Sequence, residues 1–201
     1  MSTLATHPIR AHRTAASPRV LADVLAGSRA REAALVLGAT ALIIVAGRVS
    51  IPLPFTPVPI SLATLAVLGA GATLGARRAA ASAGLYLALG VAGAPVFADG
   101  RSGWEFASFG YIVGYVAAAV ILGWLAQRGA SRHAWSMAAS ALVGTGVVYI
   151  CGIAWMMASL GLGLAEALAL GALPFLAGDA LKIAVLAGAV PAAWRLLTPR
   201  P

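Results

Sequence analysis

Apolar residues run along this chain in six blocks, separated by prolines, glycines and arginines. The first block, Ala33 to Gly47, continues through Arg48 to Ile51, because an arginine at a helix end can carry its guanidinium back to the headgroups. The second runs from Ile60 to Ala76 and stops at Arg77-Arg78, a paired charge that is expensive in hydrocarbon and natural at a membrane face. The others cover Ala79 to Ala94, Phe106 to Ala126, Trp135 to Leu160 and Pro174 to Trp194. This pattern predicts an all-α integral membrane protein built as a bundle of six transmembrane helices over residues 30–197. Residues 1–29 are expected to form a disordered cytoplasmic tail and 198–201 a cytoplasmic C-terminal end. The tail lacks the apolar core of a secretory signal peptide, although its arginines and shortage of acids also suit an organellar transit peptide.

Composition agrees with the blocks. Of 201 residues 61% are apolar and 10% charged, with mean hydropathy +0.92, whereas soluble domains carry about 25% charged residues. A net charge of +8 would suggest nucleic acid in a soluble protein, but here thirteen of the fourteen basic residues are arginines scattered between apolar runs. They report topology instead. Arg10, Arg13, Arg19, Arg29, Arg31, Arg77, Arg78, Arg128, Arg132, Arg195 and Arg200 fall on the N-terminal side of six crossings, and only Arg48 and Arg101 fall opposite. The positive-inside rule then places both termini in the cytoplasm, N-in and C-in. The single cysteine, Cys151, has no partner for a disulfide, and no metal-ligand spacing occurs.

Two connections stand out. Ile51 to Ser61 holds four prolines in eleven residues, so neither a helix nor a central strand passes through it. Its side chains are mostly apolar, and irregular apolar backbone beside a membrane is tolerated where protein buries it or where it lines a cavity. The second connection, Pro95 to Glu105, combines proline, glycine and charge. Both fall outside the cytoplasm in the six-span topology. Phe109, Tyr111 and Tyr115 at the entry of the fourth block suit an interfacial belt or a pocket lining. Ala30, Ala34 and Gly38, four apart, form a strip that lets another helix approach closely.

The strongest chemical signal is the Asp179 and Lys182 pair inside the last block, because an intramembrane ionisable group costs about 2.5–3.5 kcal/mol and needs compensation. Three apart, they share a helix face and can either pair structurally or grip one polar ligand. Asp179 can accept from ligand N–H groups and Lys182, the sole lysine, can donate to a carbonyl or carboxylate. Catalytic patterns are missing: there is no His-Glu-x-x-His, no Gly-x-Ser-x-Gly and no P-loop, and His7, His12 and His133 lie outside the blocks. The residues favour binding over bond chemistry. An ion-coupled secondary carrier for a small polar metabolite, with Asp179 as relay, is the alternative.

Three motifs then carry a family resemblance: Gly47-Arg48-Val49-Ser50-Ile51-Pro52-Leu53-Pro54-Phe55-Thr56-Pro57-Val58-Pro59-Ile60-Ser61-Leu62; Leu85 to Gly90 with Gly93 to Ala98; and Pro174-Phe175-Leu176-Ala177-Gly178-Asp179 with Lys182. Over Ala30 to Trp194 the chain resembles BioY, the biotin-binding S component of energy-coupling-factor vitamin transporters. The resemblance implies a non-enzymatic, cofactor-free subunit that captures biotin from outside, energised by a transmembrane coupling subunit and two cytoplasmic ATPases. It implies polar contacts to biotin from Asp179 and Lys182 and closure by the Pro-rich loop, in which we expect Phe55 and Thr56 to be the contact residues. On this reading Tyr86, Phe97, Trp104 and Tyr111 enclose the ligand, and Arg101 holds its carboxylate. Ala30, Ala34 and Gly38 are the expected contact with the coupling subunit. Two positions depart from the family pattern: Ala63 stands where a glutamine is common, and Ser108-Phe109-Gly110-Tyr111 where Thr-Gly-Gly-Tyr is common.

Overall fold

The computed structural model describes residues 19–24 and 27–197. Seven α-helices follow in order: α1 (Arg29–Arg48), α2 (Ala63–Leu74), α3 (Ala76–Val91), α4 (Phe109–Gln127), α5 (Ala134–Leu160), α6 (Leu164–Gly171) and α7 (Leu176–Leu197). Among them, Arg29–Arg48, Phe109–Gln127, Ala134–Leu160 and the joined stretch Leu164–Leu197 are long and apolar enough to cross a membrane, and Ala63–Leu74 is a shorter apolar helix.

The second block is shorter as a helix than its hydropathy suggests. Ile60–Ser61 (β2) pairs antiparallel with Ser50–Ile51 (β1), in register Ser50 to Ser61 and Ile51 to Ile60, so the Pro-rich stretch becomes the tip of a small hairpin. Gly75, at φ 81°, then ends α2, and α3 begins at the next residue. A positive φ here strains any residue with a Cβ, and glycine adopts it freely.

Helix α4 is central, packing against α2, α3 and α5. Its glycines make this possible. A Cβ on Gly110 would lie 2.2 Å from Cβ of Trp155, one on Gly114 2.9 Å from Cα of Val148, and one on Gly123 2.4 Å from the backbone N of Ala76. The close approach of helices through small residues therefore occurs at the α4–α5 and α4–α3 contacts. On α1, by contrast, Ala30, Ala34 and Gly38 are exposed. Only Thr40, Ile43 and Gly47 of α1 are buried, and Thr40 and Ser82 tie it to α3: Thr40 Oγ1 lies 3.2 Å from the Ser82 carbonyl, and Ser82 Oγ donates to the Val36 carbonyl at 3.1 Å.

Part of the expected disordered tail is ordered. Leu21–Val24 forms a turn of 3-10 helix, with Val20, Leu21 and Ala22 buried and the turn resting on α2 and α7. These are apolar residues with a core surface to cover, which overrides the polar composition upstream. Arg78 fixes the turn: it donates to Asp23 Oδ1 at 2.8 Å and grips Glu32 through Nε at 2.6 Å and Nη2 at 2.9 Å. Residues 1–18 of the tail and the end at 198–201 lie outside the described residues.

Candidate ligand-binding site

Helices α2, α3, α4, α5 and α7, with the two connections foreseen from prolines, enclose a cavity of about 60 Å³. That is several times the roughly 10–15 Å³ that one water needs when measured at water centres. Its walls are mixed: Tyr86, Phe97, Phe106, Tyr111, Ile112 and Phe175 supply apolar surface, and a few polar groups converge among them. Aromatic contacts stiffen the wall, with Phe97 edge-on to Tyr86 at 5.2 Å and 5.9 Å from Phe106.

The polar face belongs to α5 and α7. Lys182 Nζ donates to Asp179 Oδ1 at 2.9 Å, and both side chains are 11% exposed, so the pair is held largely out of solvent. Tyr149 on α5 donates its hydroxyl to Asp179 Oδ2 at 2.5 Å. Each carboxylate oxygen thus has one donor, which leaves roughly half of its four or so acceptor positions open, and two of the three ammonium hydrogens of Lys182 remain for other acceptors. The α2–α4 wall carries hydroxyls: Thr64 Oγ1 donates to the Tyr115 hydroxyl at 3.4 Å, and Ser61 lines the cavity beside them.

Arg101 enters from the second connection. Its guanidinium carbon lies 5.7 Å from the Phe106 ring centroid and its side chain lines the cavity beside Phe97 and Ala98. The two connections are latched to each other next to it: Ser50 Oγ donates to Asp99 Oδ1 at 2.8 Å, and Arg48 donates to the Pro95 carbonyl.

The structure therefore brings Tyr86, Phe97, Arg101, Tyr111, Asp179 and Lys182 to one cavity. Phe55, Thr56 and Trp104 do not line it. Phe55 is 59% exposed at the hairpin tip, and Trp104 is 53% exposed in a separate groove beside Trp155. Thr56 is buried, but its hydroxyl donates to the Leu170 carbonyl at 2.7 Å and accepts from the Val58 N–H at 3.2 Å, pinning the hairpin to α6. Sequence reasoning missed Tyr149, and left Tyr115 undecided between interface and pocket. Tyr111 and Tyr115 lie four apart, one helical turn, which places both on the cavity side of α4. Tyr149 carries no such signal.

A match to the BioY family model covers residues 15–199. This chain belongs to the BioY family. The biotin transporter BioY of Rhizobium etli is 36% identical over 147 residues, covering 68% of this chain and 78% of that protein. The biotin transporter BioY of Thermotoga maritima is 32% identical over 151 residues, covering 74% of this chain and 86% of that one. Among solved structures, the S-component for biotin from an ECF-type ABC transporter superposes with a TM-score of 0.72 at 26% identity, over 83% of this BioY-family chain and 94% of that chain. The shared fold and the cavity thus come together in one molecule.

Proposed function

We propose that this BioY-family protein is the biotin-binding membrane subunit of an uptake system, a carrier of ligand and not an enzyme. The observation that carries the reading is one cavity lined by the Asp179–Lys182 pair, Arg101 and aromatic side chains, in a chain of this family. A ureido ring offers two N–H donors and one carbonyl acceptor. Asp179 takes the N–H edge and Lys182 the carbonyl, while Arg101 receives the carboxylate at the end of the side chain. Tyr86, Phe97, Phe106 and Tyr111 cover the ring system and the aliphatic chain.

The finer architecture follows the same reading. Six spans place both termini in the cytoplasm and both outer connections above the cavity, in a cell membrane of bacterial type. A coupling transmembrane subunit and two ATPases energise transport, a reading supported by the likeness to a solved S-component of an ECF-type ABC transporter. Ala34 and Gly38 line an apolar groove of about 680 Å³ between α1 and α2, next to the exposed Ala30, and this face receives the coupling subunit.

Calorimetry of the purified, detergent-solubilised protein with biotin, and with other vitamins as controls, tests the function. Asp179→Asn and Lys182→Ala are each expected to weaken biotin tenfold or more, because an unpaired buried polar group costs about 1–3 kcal/mol. Undiminished affinity in both variants would overturn the assignment of the site.

A further inference from the structure

Asp179 and Lys182 both sit on α7, and a pair on one helix leaves the carboxylate free to turn about its Cβ–Cγ bond. The third contact comes from another helix. Tyr149 on α5 donates to Asp179 Oδ2 at 2.5 Å while Lys182 donates to Oδ1 at 2.9 Å, so the two oxygens are tied to different elements. Tyr149 is itself held in place. Its ring meets Tyr111 edge-on, with centroids 6.5 Å apart and planes at 84°. Tyr111 in turn donates its hydroxyl to the Gly171 carbonyl at 2.8 Å. A Cβ on Gly152 would fall 2.4 Å from the Tyr111 ring and one on Gly171 2.3 Å from its hydroxyl oxygen, so Tyr111 packs directly against the backbone at both glycines.

We propose that Tyr149 is a positioning residue for ligand recognition, fixing the plane of the Asp179 carboxylate so that its open acceptor positions and the spare donors of Lys182 face the ligand together. The hydrogen bond is charge-assisted and orients the acid before any ligand arrives, which is the preorganisation that raises affinity without a new ligand contact. It also prevents the carboxylate from turning both oxygens onto Lys182, which would withdraw acid and ammonium from the cavity at once. The inference rests on the biotin-binding reading given above.

Tyr149→Phe tests it, since phenylalanine keeps the ring that packs on Tyr111 and removes only the hydroxyl. Two measurements are needed. The dissociation constant for biotin is expected to rise about 10- to 100-fold, the loss associated with one hydrogen bond to a charged group, while the ligand-free protein stays folded with a melting temperature only a few degrees lower, because Asp179 Oδ2 loses its donor. Infrared difference spectroscopy on ligand-free protein supplies the second. The chain has six carboxylate side chains, so the Asp179 band is assigned by its disappearance in Asp179→Asn, and it is expected to shift in Tyr149→Phe. Unchanged biotin affinity would overturn the proposal, and so would weakened affinity with an unmoved Asp179 band, which would make Tyr149 a packing residue only. A wild-type protein that binds no biotin would instead sink the functional reading, while the band shift would still report on the Tyr149–Asp179 contact.

Discussion

Single residues were legible in the sequence where their chemistry was out of place. Asp179 and Lys182 stood out because charge inside an apolar block needs a reason, and the structure places them in the cavity wall. Tyrosine is at home both in a membrane interface and in a core, so Tyr149 gave no comparable signal. Phe55 and Trp104 failed to reach the cavity for a related reason: a loop sequence does not say which way a side chain faces. Glycine carries the least visible information. Gly152 and Gly171 look like ordinary small residues of membrane helices, yet both press on Tyr111 at the cavity. Gly152→Ala and Gly171→Ala should each cost about 1–3 kcal/mol through overpacking. Both should also weaken biotin binding, measured as a lower melting temperature together with a raised dissociation constant. Gly146→Ala, with nothing within 4 Å of the added methyl, is the control and should change neither.

At the scale of elements, prolines announced both connections but not how they meet. The hairpin formed by β1 and β2 leans on the second connection through Ser50 and Asp99 and through Arg48 and the Pro95 carbonyl. Arg48 is one of two arginines that depart from the expected positive-inside pattern, and the Pro95 carbonyl is its partner here. Val58 and Pro59 from the hairpin, and Ala98 and Arg101 from the second connection, line the same cavity. Separating the connections is therefore expected to open the cavity. Ser50→Ala removes the donor and should speed biotin release several-fold with little change in the melting temperature. Asp99→Ala should release faster still, because it removes the acceptor and also leaves an alanine at φ 56°, a left-handed conformation that costs about 1–2 kcal/mol. Stopped-flow or filter-based dissociation rates check the order, and equal rates in all three proteins would show that the latch does not gate the site.

The whole molecule was legible as a membrane bundle because hydropathy and arginine placement are global signals, whereas the anchoring of the N-terminal turn depends on one long-range contact. Burial works against ionisation of Asp23, but the Arg78 guanidinium and the backbone N–H groups of Val20 and Arg19 outweigh it and hold the carboxyl below the usual carboxylate range. A lowered folded-state pKa means stability present above the unfolded value, about 3.9, and lost as pH falls through the folded one. Melting temperatures of wild type and Asp23→Asn should therefore converge in strong acid and diverge above about pH 4, wild type higher. The number of crossings is a larger question, and α2 and α3 decide it. At 12 and 16 residues they are about 18 and 24 Å long, short of a hydrocarbon core of about 30 Å, so as helices alone they fit a re-entrant hairpin as well as two spans. The exposed Arg77 at their junction discriminates, since its guanidinium belongs at a cytoplasmic face if both helices cross. The lone Cys151 makes the test clean. In a Cys151→Ala background, Ser102→Cys should react with a membrane-impermeant maleimide on intact cells, and His133→Cys only after permeabilisation. Arg77→Cys should behave like His133→Cys if there are six spans. Labelling of Arg77→Cys from outside would instead make α2 and α3 a re-entrant pair, and labelling of His133→Cys in preference to Ser102→Cys would invert the topology.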